Sequence, residues 1–266
     1  MKFYYIPLEI WKQKDLIIQF TLRDLHIRYK GSYLGVLWSL LTPLFMLAIY
    51  SFVFTQVFKA KWAFAGSDQP SFSLLIFTGM IVFQIFSEPV NRASTIITSQ
   101  PNLIKKVVFP AEVLPISIVM SGLINSCFAF IVLLAAALVM GHLSLTVIYL
   151  PLVLLPIILL TAGTALVIAV LGVYIRDMSN FISILINAVY FMSPVFYPVS
   201  AVPKKFQTIM YINPLTSVIE NSRNVILNAQ PPVWTGYVLH LFISLVIFII
   251  GYKFFCSSKE MFADAI

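Results

Sequence analysis

The run VLPISIVMSGLINSCFAFIVLLAAALVMGHLSLTVIYLPLVLLPIILLTAGTALVIAVLGVYI, from Val113 to Ile175, contains no Asp, Glu, Lys or Arg. One crossing of a ~30 Å hydrocarbon core takes about 20 apolar residues, so this run is too long for one span and must be two. Its polar interruption, Gly141-His142-Leu143-Ser144, is the natural turn. Outward from there, Gly31 to Phe58 is a first span with a kink expected at Pro43, and Gln69 to Ser87 is a second. The spans flanking His142 are the third and fourth. Met178 to Tyr197 is a fifth and Trp234 to Phe255 a sixth. Gly31 and Gly35 form a small-xxx-small pattern of the kind that lets helices approach closely. The expected fold is an all-α integral membrane protein with six transmembrane helices.

Composition agrees. Of 266 residues, 60% are hydrophobic and 10% charged, where soluble chains carry about 25% charged. The net charge of +7 comes from Lys and Arg lying outside the apolar runs. Anionic lipid headgroups and membrane orientation account for it better than nucleic acid does. With the N-terminus inside, twelve Lys and Arg fall on the inner side and five on the outer, which places both termini in the cytoplasm. Trp11, Trp38, Trp62 and Trp234 lie near span ends, as interfacial anchors do. No cleavable signal peptide is expected, because the first thirty residues lack a continuous apolar core.

Residues 8–30 read as an amphipathic helix. Ile18, Leu22, Leu25 and Tyr29 share one face, and Gln19, Arg23, His26 and Lys30 another, with Asp24 and Arg28 spaced to pair at i, i+4. Such a helix lies in the membrane interface with its apolar face toward the acyl chains, or packs as a solvated helix on its own protein. The 257–266 stretch is a short cytoplasmic tail. Between spans two and three, Pro89 to Pro115 is cytoplasmic, basic at Lys105 and Lys106 and bounded by prolines, and Glu88 can pair with Arg92. It is a candidate docking element, with an ordinary positive-inside loop as the alternative. Pro198 to Arg223 is too polar to span, yet holds the apolar patches Phe206–Ile212 and Val218–Ile219. It is either surface loop or short helices dipping in from one side.

The chemistry that is missing narrows the function. Spans one, three and four hold no Asp, Glu, Lys or Arg, and no ionisable group is expected at mid-depth, which speaks against a proton-coupled carrier. His26, His142 and His240 are scattered, and Cys127 and Cys256 have no ligand spacing, so no metal site is expected. No Gly-x-x-x-x-Gly-Lys-Ser/Thr phosphate loop occurs. Energy for active transport would have to come from another subunit. Aromatics make up 15%; most suit lipid-facing and interfacial positions, and some could line a conduit, since sugar rings stack on aromatic faces.

Five motifs resemble one family. Arg28-Tyr29-Lys30-Gly31-Ser32-Tyr33-Leu34-Gly35-Val36-Leu37-Trp38 resembles its opening motif, and Leu103-Ile104-Lys105-Lys106-Val107-Val108-Phe109-Pro110-Ala111-Glu112-Val113-Leu114-Pro115 its segment between spans two and three. Tyr174-Ile175-Arg176-Asp177-Met178 resembles the turn before span five. Ser193-Pro194-Val195-Phe196-Tyr197-Pro198 and Asn213-Pro214-Leu215-Thr216, with Glu220 and Arg223, resemble its late motifs. The family is the permease subunits of ABC exporters for O-antigen, capsular polysaccharide and teichoic acid, and the resemblance covers nearly all of residues 20–256.

The resemblance implies a homodimeric, non-enzymatic permease joined to two copies of a separate ATPase that holds ATP and Mg. Its passenger would be a lipid-linked polysaccharide of O-antigen type leaving across the cytoplasmic (inner) membrane. It implies ATPase contact through the N-terminal interface helix, with Arg23 and Arg28, and through a coupling segment of about 89–110, with Asn102, Leu103, Lys105 and Lys106. It also implies conduit aromatics, for which Tyr33, Trp38, Tyr190, Phe191 and Phe196 are the candidates. Finally it implies re-entrant external helices forming a gate at about 198–228, with Tyr197, Pro198, Phe206, Met210, Tyr211 and Pro214. Two other readings are an ABC exporter permease for drugs or lipids, and a membrane enzyme acting on isoprenoid-linked sugars. The enzyme would need a cluster of acidic or histidine residues at one face, whereas Glu88, Asp177 and Glu220 are dispersed.

Overall fold

The computed structural model describes residues 6–57, 72–106 and 109–265, except the side chains of residues 6–8, 55, 56, 106, 263 and 264. Trp62, and the chain joining the first two spans, lie outside the described residues. The helices in order are α1 (Ile6–Lys12), α2 (Lys14–Tyr29), α3 (Trp38–Ser51), α4 (Phe72–Ile96), α5 (Pro101–Lys106), α6 (Val113–Val139), α7 (Leu150–Tyr174), α8 (Met178–Met192), α9 (Lys204–Ile212), α10 (Pro214–Ile226), α11 (Trp234–Ser258) and α12 (Phe262–Ala265). There is no strand among the described residues. Five helical stretches are long and apolar enough to cross a membrane, and α8 is a shorter apolar helix.

The uncharged run does fold as two antiparallel helices. The turn between them is a Schellman cap. Gly141 sits at φ +74, with His142 N–H donating to Ala137 O (2.9 Å) and Gly141 N–H to Leu138 O (3.1 Å). α7 lies between α4 and α11, with α6 on the other side of α4 and α2 laid along α6. The end of the bundle that carries both termini is called the base. There Glu112, 3% exposed, is held from both sides: Gln13 Nε2 donates to it at 3.0 Å and Lys259 Nζ pairs at 3.2 Å.

Backbone meets backbone at two crossings. A Cβ on Gly163 of α7 would stand 2.6 Å from Phe248 Cα of α11, and one on Gly251 would stand 2.3 Å from Gly163 O. A Cβ on Gly172 would meet Ser94 O of α4 at 1.9 Å. Small residues at helix interfaces permit this approach. The expected Gly31/Gly35 pattern is something else: both are left-handed turn glycines (φ +82 and +52) with open space around them.

Prolines sit inside α3 (Pro43), α4 (Pro89) and α7 (Pro156), and for the last two a neighbouring helix supplies what the proline removes. Pro156 in α7 frees the carbonyl of Leu152, which accepts from the Tyr237 hydroxyl of α11 at 3.1 Å. Pro89 in α4 frees that of Ile85, to which the Thr161 hydroxyl of α7 comes within 3.5 Å. Because of this, α4 continues through Pro89 to Ile96. Glu88 and Arg92 lie in the helix, and Pro89 does not bound a loop as expected.

Span five is shorter than its apolar run. Pro194 disfavours a helical residue before it, and Ser193 is extended at φ −99, ψ 149. The helix therefore stops at Met192, and at 15 residues is about 22 Å long. The residues after it form α9 and α10, a helical hairpin that turns at Asn213. That turn is set into the bundle: Asn213 Nδ2 donates to Ser193 Oγ (3.0 Å), and Tyr211 O lies 3.0 Å from His240 Nε2, six residues into α11. Asn213 also caps α10, accepting from Leu215 N at 3.0 Å, with Pro214 in the first turn.

Candidate functional site

Two features stand out: a charged seam at the base and a buried arginine under the α9–α10 hairpin. The seam forms where α2 lies on α4 and α6. Its inward residues are Ile17, Thr21, Asp24 and Arg28, spaced i, i+4, i+7, i+11. This is a third face, on the far side of the apolar face assigned from sequence and nearly opposite the polar one; Ile18 and Leu22 point outward. Asp24 does not pair with Arg28 along the helix. Instead Arg92 of α4 grips Asp24 through both terminal nitrogens, and Arg28 pairs with Glu88. Ser121 of α6 donates to Asp24 at 2.5 Å, Tyr29 donates to Asn125 at 2.9 Å, and Arg92 stays within 3.5 Å of Glu88. Burial alone would raise the Asp24 carboxyl; hydrogen bonds from Arg92 and Ser121 and the charges of Arg92 and Arg28 outweigh it and hold it below its ordinary value. Two carboxylates and two guanidiniums make the seam neutral overall.

Below the seam, α2 and α5 share a surface. Arg23 donates to Gln100, just before α5, at 2.8 Å and lies over the Phe20 ring. Asn102 and Lys105 are exposed, whereas Leu103 packs into the base core. Lys106 ends α5, and its side chain lies outside the described residues. Of the six residues expected at an ATPase contact, Arg28 is turned inward as a tie between helices.

The five candidate conduit aromatics separate into three places. Tyr190, Phe191 and Phe196 cluster, with centroids 5.1–6.3 Å apart, and Phe83 of α4 meets Tyr190 at 4.7 Å. Trp38 lines a separate cavity of 390 Å³ with Tyr29, Tyr50, Phe77 and Asn125. Tyr33 stands alone and fully exposed in the turn before α3. A second hollow, of 780 Å³ between α2 and α6, has an apolar floor that includes Leu22, Leu25, Ile124 and Phe128, with Arg23, His26 and Lys30 at its rim.

At the opposite end, Arg223, expected in an outer segment of surface loop or short helices, is 2% exposed. Nε donates to Leu75 O (2.9 Å), Nη2 to Val195 O (2.8 Å) and Nη1 to Glu220 (2.9 Å). Gly79 of α4 makes the room, since a Cβ there would stand 2.9 Å from Nη2. Arg223 thus ties α10 to α4 and to the turn after α8. Of the expected gate residues, Met210 is buried, Phe206 and Tyr211 are exposed, and Pro214 opens α10. The Tyr197 hydroxyl donates to Phe191 O at 2.7 Å, and Pro198 edges a pocket beside the hairpin.

No group of three or more His, Cys, Asp or Glu able to hold a metal occurs among the described residues. The arrangement offers ties between helices, surfaces and cavities, and the carboxylates nearest each other are matched by arginines.

The ABC-2 type transporter family profile matches residues 16–227. The chain belongs to that family. Among relatives of this ABC-2 transporter chain is the O-antigen export system permease protein RfbA of Klebsiella pneumoniae, 28% identical and aligned over 94% of both chains. RfbA of Myxococcus xanthus is 27% identical over 97% of this chain and 98% of its own. The polysialic acid transport protein KpsM of Escherichia coli is 26% identical over 81% and 82%.

Proposed function

We propose that this ABC-2 chain is the permease subunit of an exporter that moves a lipid-linked polysaccharide, of O-antigen type, outward across the cytoplasmic membrane. The observation that carries this reading is the likeness to O-antigen export permeases over 94% or more of both chains. Two copies would form the conduit. α3, in which only Ser39 is buried, offers an apolar face for a second copy. A separate pair of ATPase subunits would bind ATP and Mg and press on the surface formed by α2 and α5.

The seam explains how such a push travels. α2 is fastened to α4 by two ion pairs and to α6 by hydrogen bonds, so the three helices move as one body. α4 in turn holds Arg223 through Leu75 O, so displacement at the base reaches the α9–α10 hairpin through one continuous helix. The hollow between α2 and α6 suits the lipid carrier, with an apolar floor for the chain and basic side chains for an anionic head. In this reading both termini are cytoplasmic and the hairpin is an external gate.

Deleting the ATPase partner and following surface glycan tests the reading. Export should stop, and unchanged export refutes it. Single cysteines at His142 and at Lys105, probed with a membrane-impermeant thiol reagent on a Cys127→Ser, Cys256→Ser background, test the orientation. Labelling at His142 alone is expected from outside intact cells, and labelling at Lys105 alone refutes it.

A further inference from the structure

The pocket between the α9–α10 hairpin and the start of α11 has a volume of 530 Å³, within the range of about 300–1,000 Å³ usual for small-molecule sites. Its lining includes Tyr211, Thr216, Ser217, Glu220, Asn224 and Thr235. These side chains narrow the ligand chemistry considerably.

Charge is cancelled there. The Glu220 carboxylate faces the pocket with one oxygen bound by Arg223, and the guanidinium itself is buried and turned toward Leu75 O and Val195 O. The other titratable group in the lining, His240, has both ring nitrogens engaged by main-chain carbonyls, Nδ1 with Gly236 O (2.7 Å) and Nε2 with Tyr211 O (3.0 Å), so no cation among the described lining residues is left facing the pocket without a partner. The polar groups that remain are of both kinds. The second Glu220 oxygen can accept. Asn224 Oδ1 takes a bond from Asn228 at 3.2 Å, which leaves its amide hydrogens to donate. Ser217 Oγ accepts from Asn221 at 3.3 Å and keeps its own hydrogen to give. Tyr211, 58% exposed, adds a flat aromatic face to the wall. An apolar ligand would leave these groups unsatisfied, and an ion would meet a neutral pair.

We infer that this pocket binds a neutral sugar ring, with Glu220, Ser217 and Asn224 hydrogen-bonding its hydroxyls and Tyr211 lying against its C–H face. The inference rests on the reading of the chain as a polysaccharide permease and gives that reading a station where one unit of the polymer pauses beside the hairpin.

The test uses the permease with its ATPase in lipid nanodiscs and saturation-transfer NMR with the methyl glycosides of glucose, galactose, mannose and rhamnose, with glucuronate alongside. At least one neutral glycoside should receive saturation on its ring protons. That signal should fall at least fivefold in Asn224→Ala and in Tyr211→Leu, both at partly or fully exposed positions, and in Thr235→Val should either of these fail to fold. Absence of transfer in the unaltered protein, transfer undiminished in the folded variants, or stronger transfer to glucuronate each overturns the inference. If surface glycan still depends on the ATPase while no glycoside binds, the pocket is wrong and the permease reading stands. If export proceeds without the ATPase, the permease reading falls and takes the pocket's passenger with it.

Discussion

Replacing Arg92 with Met keeps the aliphatic stem but removes both contacts to Asp24 and the approach to Glu88. Asp24 then retains only the Ser121 hydrogen bond and the charge of the nearby Arg28, in a site where its side chain is 17% exposed. Breaking a fully buried ion pair costs about 3–5 kcal/mol, because a charge is left desolvated without a partner. An exposed pair is worth about 0–1 kcal/mol. With one partner mostly buried and the other 35% exposed, the expected loss is about 2 kcal/mol. Much of that is the stranded carboxylate. Asp24→Asn in the same molecule should therefore recover about half of it, since no unpaired charge is left. Denaturant unfolding of the four proteins in mixed micelles closes the cycle, and a coupling energy above about 1 kcal/mol is expected. Additivity within about 0.5 kcal/mol would show that the seam fastens nothing. In the proposed reading the seam would carry the push from α2 to α4, so glycan export should fall in folded Arg92→Met protein as well.

The same seam should respond to pH. Asp24 has its folded-state value lowered, so its contribution is present above the ordinary carboxylate range near about 4 and is lost as pH falls through the lowered value. A stability–pH profile should lose this acid-side slope in Asp24→Asn. Tyr237→Phe leaves Leu152 O without its donor and should cost about 1 kcal/mol, and almost nothing in a Pro156→Ala background where the helix supplies that bond itself. A thermodynamic cycle on the four proteins is the check. Gly163→Ala forces a methyl to 2.6 Å from Phe248 Cα and should cost about 1–3 kcal/mol by unfolding, whereas exposed positions on the same helix tolerate Ala. Asn213→Ala removes the α10 cap and the bond to Ser193, about 1–2 kcal/mol, and should raise hydrogen exchange in α9 and α10 above that elsewhere.

The large elements were legible because a bilayer enforces a simple rule of length and polarity. Val113 to Ile175 could be nothing but two helices, and Gly141 marks the cap between them. What was misread depends on groups far away in sequence. Pro89 looked like a boundary because its compensating hydroxyl, Thr161, belongs to another helix. Asp24 and Arg28 have ideal spacing for each other, yet each finds a better partner on α4, and no single-helix pattern can rank those choices. The burial of Arg223 could not be read because its acceptors, Leu75 O and Val195 O, are main-chain atoms, which leave no trace in side-chain patterns. The early stop of α8 was readable: Pro194 requires an extended residue before it. Apolar character continuing through Phe196 hid that signal. The grouping of Tyr190, Phe191 and Phe196 was accessible from sequence proximity, whereas the isolation of Tyr33 follows from a turn that holds it away from every neighbour.

The shortness of α8 changes the barrier along its wall. A helix of about 22 Å cannot match a hydrocarbon layer of about 30 Å. In the proposed reading the hairpin after it would take up the remaining height, and its amides, hydroxyls and carboxylate would replace water for a passing chain of alcohols. The greasy zone along that wall would then be about a quarter thinner than the bilayer around it. A hydrated polymer would shed its solvent over a correspondingly shorter path before meeting hydrogen-bonding partners again.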